Sequence, residues 1–378
     1  MKLETRLVQT GVKWDTRTGA VSMPIYQSAT FQHPRLGEST GFDYSRSGNP
    51  TRQVLEEAIA AAESGQRGLA FASGMAAITT LLYLFRPGDH LIVSDDLYGG
   101  TYRLFEQIFN NFGLEFTFVD TSDLTAVEAK LKQNTKAVFI ETPSNPLMKI
   151  TDIRGITTLA KSKNLLTIVD NTFMTPFFQR PLELGADIII HSGTKYLGGH
   201  NDLVAGLLVT GDQALGDKLY FYQNATGAIL GPQDCWLLIR GLKTLGIRLE
   251  RQQENALLLA QRLQQHLAIE QVFFPGLADH PGHQLHLSQA TGYGGMLAFK
   301  VKRPELVPRI LERIKLIAFA ESLGGVETLI TYPTVQTHAD IPQEIREAKG
   351  ISNTLLRLSV GIEAVGDLIE DLEQAIEG

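Results

Sequence analysis

From residue 50 to residue 209 the chain alternates short apolar runs with segments of helical periodicity, and this alternation constrains the fold more than any other feature. The runs at 68–71, 90–93, 115–119, 137–140, 165–169, 187–190 and 205–209 have the length and composition of buried strands. Helical patterns separate most of them. Asn49-Pro50 opens one that continues to Glu63, with proline in its first turn. Ser73-Gly74-Met75 opens another that continues to Phe85, and Pro87-Gly88-Asp89 is a turn before the next strand. Apolar strands joined by helices bury both faces in a mainly parallel sheet covered on both sides, so the expected class is α/β.

The rest of the chain is organised around that unit. Residues 1–45 carry Pro24, Tyr26, Phe31 and Pro34 without clear periodicity and read as an extended arm that finds its burial on another subunit. A long amphipathic segment, 232–266, leads out of the large unit. Strand candidates at 295–300, 316–321 and 355–360 then alternate with helical patterns at 304–313 and 366–377, as in a smaller α+β domain. The expected division is an arm over 1–45, a large domain over 46–235 and a smaller domain over 236–378.

With 378 residues the chain is long enough for two sizeable cores. A net charge of −7 does not favour nucleic acid as a partner. Cys235 is the single cysteine, which excludes an internal disulfide and points to a reducing compartment. Beside Trp236 in an apolar helical pattern, it reads as a buried structural thiol. No run reaches membrane-spanning length and the N-terminus has no signal-peptide core, so the expected location is cytoplasmic, away from membranes.

The chemistry gathers at strand ends. His191-Ser192-Gly193-Thr194-Lys195 follows the apolar run ending at Ile190. A lone lysine near glycines is ordinarily a solvated surface residue. At the exit of a buried strand it is desolvated instead, which favours the neutral amine that attacks a carbonyl. Ser192 and Thr194 supply small hydroxyls suited to a phosphate. Asp170 ends the preceding apolar run; it is either a helix N-cap or a carboxylate facing a protonated pyridine nitrogen. Lysine, carboxylate and phosphate-holding hydroxyls together indicate pyridoxal phosphate (PLP).

Other positions add to this set. Ala72-Ser73-Gly74-Met75 joins a strand to a helix start, where backbone N–H groups can approach a phosphate. Tyr98, followed by Gly99-Gly100, is either a core residue or a ring that stacks on a flat cofactor. Arg357, inside an apolar strand, needs a partner: a structural carboxylate, or the carboxylate of an amino-acid substrate. His280, His283 and His286 recur every third residue, but Pro281-Gly282 interrupts any helix that would align them. A polar loop is the reading there, and no metal site is assigned.

Taken in order, these residues resemble the Cys/Met-metabolism family of PLP enzymes, the trans-sulfuration enzymes that include cystathionine γ-synthase, γ-lyase and β-lyase. The resemblance runs from Pro24-Ile25-Tyr26-Gln27-Ser28-Ala29-Thr30-Phe31 through Tyr44-Ser45-Arg46-Ser47-Gly48-Asn49-Pro50 to Arg357-Leu358-Ser359-Val360-Gly361. It implies the aminotransferase-like (type I) PLP fold. It implies that Lys195 bonds the cofactor, Asp170 contacts its nitrogen, Tyr98 stacks on its ring, and Gly74, Met75, Ser192 and Thr194 bind its phosphate. Tyr44 and Arg46 match positions that reach the phosphate of a neighbouring subunit, in a homotetramer built of dimers with shared active sites. Asn145 and Arg357 match holders of the substrate carboxylate, with Ser322 nearby.

The segments Pro143-Ser144-Asn145-Pro146 and Glu321-Ser322-Leu323-Gly324-Gly325 look most like the γ-synthase and γ-lyase branch. Methionine γ-lyases usually carry cysteine where this chain has Gly100. The resemblance therefore implies γ-replacement on an O-acylhomoserine by cysteine, with elimination by a γ-lyase or β-lyase as the alternatives. A PLP-binding module without catalysis would lack the lysine, the aspartate or the arginine, and all three are present.

Overall fold

The larger sheet has seven strands: β1 (Arg67–Phe71), β2 (His90–Ser94), β3 (Glu115–Val119), β4 (Thr135–Glu141), β5 (Leu166–Asp170), β6 (Ile188–Ser192) and β7 (Gly206–Thr210). Their order is β1-β7-β6-β5-β4-β2-β3. The pairs β2–β3, β2–β4, β4–β5 and β5–β6 are parallel, while β7 runs antiparallel to both β6 and β1. This computed structural model describes residues 1–339 and 341–377. The mainly parallel α/β fold expected from the sequence is the one observed.

Alternation along the strands divides the core between the two faces. Val138 and Ile140 of β4, Val169 of β5, Ile189 of β6 and Val209 of β7 pack into one layer. Ala137 and Phe139, Ile168, Ile188 with Ile190, and Leu208 pack into the other. Fully burying each large apolar side chain contributes roughly 1.5–3 kcal/mol, so a one-residue register slip would exchange the layers at a cost no strand could bear. The same parity sends Glu141, Asp170 and Ser192, the last residues of β4, β5 and β6, to the second face. Helix α3 (Gly74–Leu82) lies there, with Ile78 and Leu81 in that layer.

The N-terminal segment differs in part from the free arm expected. A short helix α1 (Leu3–Val8) packs on α2 (Pro50–Ala62), and Leu7 and Met23 are buried in this chain's own core. Residues 32–41 remain almost wholly exposed.

The smaller sheet contains β8 (Ile269–Phe273), β9 (Met296–Val301), β10 (Ala318–Phe319), β11 (Leu329–Thr331) and β12 (Leu355–Ser359), ordered β10-β11-β12-β9-β8. The run expected at 316–321 pairs only over Ala318–Phe319. β8 and β11 were not expected, because Glu270 and Gln271 break the apolar pattern of the first and the second has three residues. The amphipathic segment 232–266 divides into helices Pro232–Leu242 and Leu245–Gln264. Leu238, Leu242, Leu245 and Leu249 belong to the large core, whereas Ala256, Leu259 and Leu263 belong to the small one. The second helix therefore threads from one core into the other. Cys235 is buried as expected, and burial pushes its thiol far up. Among the described residues no helix is long and apolar enough to cross a membrane.

Candidate active site

A cavity of about 310 Å³ opens at the carboxyl ends of the parallel strands, between the two sheets. It is bounded by the α3 N-terminus, the ends of β4 to β6 and, from the smaller domain, residues 321–323 and Arg357. Of the residues singled out in the sequence, Gly74, Met75, Tyr98, Asn145, Asp170, Ser192, Thr194, Lys195, Glu321, Ser322 and Arg357 all line it. A cleft of about 650 Å³ elsewhere contains none of them.

Lys195 leaves β6 through the turn Ser192–Lys195, with its N–H bonded to Ser192 O at 3.2 Å. Its Nζ donates to Ser322 Oγ at 2.8 Å, across the junction of the domains. Burial, then the nearby Arg357 guanidinium, pulls the amine down to about 8, with Glu321 acting the other way. The neutral amine, the form that attacks carbonyls, is thus far more populated near physiological pH than for an ordinary lysine. Ser322 has φ 94°, a left-handed conformation that costs a non-glycine residue roughly 1–3 kcal/mol. Its carbonyl and hydroxyl are both engaged, by Arg357 and Lys195, and these contacts hold the strained backbone in place. Beneath the lysine turn, Arg248 donates to Tyr196 O and Gly241 O, both at 2.8 Å. Gly199 has φ 74°, and a Cβ there would lie 2.0 Å from Arg248 Nη1, so this turn admits glycine only.

Arg357 is 1% exposed, and no carboxylate forms a salt bridge with it among the described residues. It donates through Nη1 to Asn145 Oδ1 at 2.8 Å, and through Nη2 to Ser322 O at 3.1 Å and Thr331 Oγ1 at 3.2 Å. Its buried Nε has no hydrogen-bond partner among the described residues. Burial lowers the guanidinium to about 10. A buried, still cationic fork with an unused donor fits a carboxylate. Glu321 sits exposed on the cavity wall, one residue from the Ser322–Lys195 contact.

Tyr98 caps the short helix Gly99–Arg103 and is 42% exposed. A Cβ on Gly100 would lie 2.5 Å from Tyr98 Cε1, so any side chain at 100 would have to displace the ring. The Tyr98 N–H donates to Glu141 Oε2 at 3.1 Å. Asp96, in the same loop, accepts from Ser144 Oγ and, at 3.2 Å, from Leu147 N–H, tying the Tyr98 loop to the Asn145 loop. Burial raises the Asp96 carboxyl to about 6, against the Ser144 bond and the Lys149 charge.

Asp170 accepts from the Thr172 N–H at 2.9 Å; burial raises its carboxyl, while the Thr172 bonds and the His191 ring oppose the rise. The Ser192 N–H donates to Thr172 Oγ1 at 2.9 Å, and Thr194 Oγ1 accepts from the Ala205 N–H at 3.0 Å. The Ser73 side chain caps α3 by accepting from Ala76 N–H at 3.0 Å. A hydroxyl pair near a helix N-terminus, a half-buried carboxylate and a lysine of lowered basicity fit the phosphate, nitrogen and carbonyl carbon of PLP.

Tyr44 and Arg46 are absent from this cavity's lining. Arg46 Nη1 donates to Asn224 O at 2.7 Å and its guanidinium lies 5.6 Å from the centre of the half-exposed Tyr44 ring. The histidine triplet is also placed differently from the expected loop. His283 and His286 belong to the helix His283–Gln289 and stack on Tyr293, and His286 Nε2 lies 2.7 Å from Gly292 O. No group of three metal-ligating side chains is present among the described residues. Sequence reasoning missed Glu141. Its signal was that of Asp170, a carboxylate closing an apolar strand.

Residues 4–377 match the model of the Cys/Met metabolism PLP-dependent enzymes. The chain is 55% identical over 374 residues to a cystathionine gamma-synthase/O-acetylhomoserine (thiol)-lyase of Bacillus subtilis (strain 168), covering 99% of this chain and 96% of that one. It is 52% identical over 377 residues, all of both chains, to a cystathionine gamma-lyase of the same organism. The crystal structure of a cystathionine gamma synthase from Xanthomonas oryzae pv. oryzae, in complex with aminoacrylate and cysteine, superposes with a TM-score of 0.98 at 43% identity, covering 100% of this chain and 98% of that one.

Proposed function

The chain belongs to the Cys/Met metabolism PLP-dependent enzyme family, whose relatives form or cleave C–S bonds, and within it we propose that it is a cystathionine γ-synthase replacing the γ-acyloxy group of an O-acylhomoserine with cysteine. The observation that carries this reading is the Lys195–Ser322–Arg357–Asn145 chain of contacts, which sets a base of lowered pKa beside a carboxylate anchor. The 55% identity to the γ-synthase of Bacillus subtilis supports the choice of reaction.

PLP, when bound, supplies the electron sink for carbanions formed along the amino-acid chain. In this reading Ser192, Thr194 and the α3 N-terminus at Gly74 and Met75 hold its phosphate, Tyr98 covers its ring and Asp170 holds the charge beside its nitrogen. Arg357 and Asn145 grip the substrate carboxylate, which fixes the Cα–H bond toward Lys195. Lys195 Nζ takes the α proton, and Ser322 Oγ holds that nitrogen in place. Once relieved of that proton, Lys195 Nζ takes a β proton as the γ substituent leaves as a carboxylate; the cysteine sulfur, giving up its proton, forms the new bond at Cγ, and protons returned to Cβ and Cα through Lys195 complete the product. Glu321, at the cavity wall, attracts the ammonium of the incoming amino acid.

A second reading, γ-elimination from cystathionine, is favoured by the full-length 52% identity to the γ-lyase of Bacillus subtilis. Arm, large domain and smaller domain serve as the working units, in a cytoplasmic homotetramer of dimers whose sites share Tyr44 and Arg46; their exclusion from this chain's own cavity supports that role. The test is product analysis with O-acetylhomoserine plus cysteine against cystathionine alone. Cystathionine from the first mixture at a rate well above 2-oxobutyrate from the second supports the synthase; the reverse overturns it in favour of the lyase.

A further inference from the structure

The mechanism above leaves one cavity carboxyl unused. Glu141 and Asp170 are partners in the parallel ladder of β4 and β5, Glu141 buried and Asp170 half-buried, and both line the cavity. Neighbouring strands lie about 4.8 Å apart. Two carboxylates so placed cannot both ionise without strong mutual repulsion.

Their surroundings are unequal. Asp170 accepts from Thr172, and behind it lies the fully buried pair of Glu63 and His191, with Glu63 Oε1 2.6 Å from His191 Nε2. Among the described residues Glu141 accepts one hydrogen bond, from the Tyr98 N–H. The other charged groups acting on it are Asp96, from the loop after β2, and Arg357, from β12. Arg357 directs its hydrogen bonds to Asn145, Ser322 and Thr331 rather than to Glu141.

We propose that Glu141 is a positioning residue that acts as the neutral acid, anchoring the Tyr98 loop through Oε2 and leaving the negative charge at the strand ends to Asp170. Burial first, then the Asp170 charge, holds the Glu141 carboxyl well above the usual range, with the Tyr98 N–H and Arg357 opposing. Burial raises Asp170 as well, but it has the Thr172 bonds and the His191 ring on its side. A neutral carboxyl between Tyr98 and Asp170 fixes the loop without adding a second anion to compete for the pyridine proton. The functional consequence rests on the cofactor reading given above.

The test compares wild type, Glu141→Gln and Glu141→Ala by infrared difference spectroscopy and by PLP affinity. At pH 7.5 the wild-type apoprotein and holoenzyme should both show a protonated-carboxyl C=O band that shifts in D2O and is missing in Glu141→Gln. Glu141→Gln, an isostere of the neutral acid, should bind PLP within about threefold of wild type. Glu141→Ala, which leaves the Tyr98 N–H without its acceptor, should bind PLP about tenfold more weakly or worse. Identical carboxyl bands in wild type and Glu141→Gln would overturn the neutral acid. Wild-type affinity in Glu141→Ala would overturn the anchoring role. Should the alanine variant fail to fold, the glutamine variant still decides the protonation state. Failure of wild type to bind PLP would sink the cofactor reading instead, and the apoprotein band reports on Glu141 regardless.

Discussion

Lys195 Nζ and Ser322 Oγ, 127 residues apart in sequence, meet at 2.8 Å, so the amine of one domain is held by a hydroxyl of the other. The contact joins the two structural units inside the cavity.

The lowered basicity of Lys195 has a readout in the apoprotein. Only the neutral amine attacks the PLP carbonyl, so the rate of cofactor uptake should rise with pH through about 8 and level off above it. Arg357→Gln removes a positive neighbour and should move that profile to higher pH. Borohydride reduction of the loaded enzyme, followed by peptide mapping, should label Lys195; a label on another lysine would refute the assignment.

Asp96 gives a stability signature. Its folded-state pKa, about 6, lies above the ordinary carboxylate value, so the folded protein gains stability as pH falls through 6 and loses it as pH rises again. A shift of this size corresponds to roughly 3 kcal/mol across the window from pH 7 to pH 4. Asp96→Asn keeps an acceptor for Ser144 and Leu147 but no longer titrates. Denaturation midpoints at pH 4.5 to 7.5 should therefore show the variant gaining on wild type as pH increases; parallel curves would refute this.

Arg46 tests the sharing of sites. Arg46→Ala should weaken PLP retention, and Lys195→Ala should abolish turnover. Mixing the two variants should raise activity above that of either alone, because a hybrid interface pairs an intact lysine with an intact arginine. No recovery after verified subunit exchange would show that each chain builds its site alone.

Glu321 tests reaction choice. Its carboxylate can attract the distal ammonium of cystathionine or of incoming cysteine. Glu321→Ala should reduce γ-replacement and cystathionine cleavage several-fold more than β-elimination from a small uncharged thioether. Equal losses across all three, measured as cystathionine, 2-oxobutyrate and pyruvate, would make Glu321 a general support.

The large sheet was legible in the sequence because its strands, the edge strand β3 apart, are buried along most of their length and their apolar runs are continuous. The strand-end residues Asp170, Ser192 and Lys195 were legible for the same reason: a polar residue closing such a run has few structural uses. Period-two alternation even explains why Asp170 and Ser192 share a face, and the same parity could have found Glu141. The meeting of Ser322 with Lys195 and of Asn145 with Arg357 was beyond periodicity, since it depends on how two domains pack; Ser322 and Asn145 entered through family resemblance alone. The smaller sheet was harder to read because its strands are short or carry polar residues, as in Ile269–Phe273. The break at Lys243 and Thr244 interrupts an amphipathic pattern that continues on both sides, and it is stabilised by the distant Arg248 fork on Gly241 O.

The helix Leu245–Gln264 has a thermodynamic consequence of its own. Leu245 and Leu249 are sealed in one core and Leu259 and Leu263 in the other, along a single run of backbone hydrogen bonds. Neither core can melt without exposing part of the rod that completes its neighbour. The chain should thus unfold as one cooperative unit, with a single calorimetric transition where two separate domains would give two. The domain carrying Arg357 has no independent route to disorder, so Arg357 should keep its place on the cavity wall as long as the domain of Lys195 stays folded.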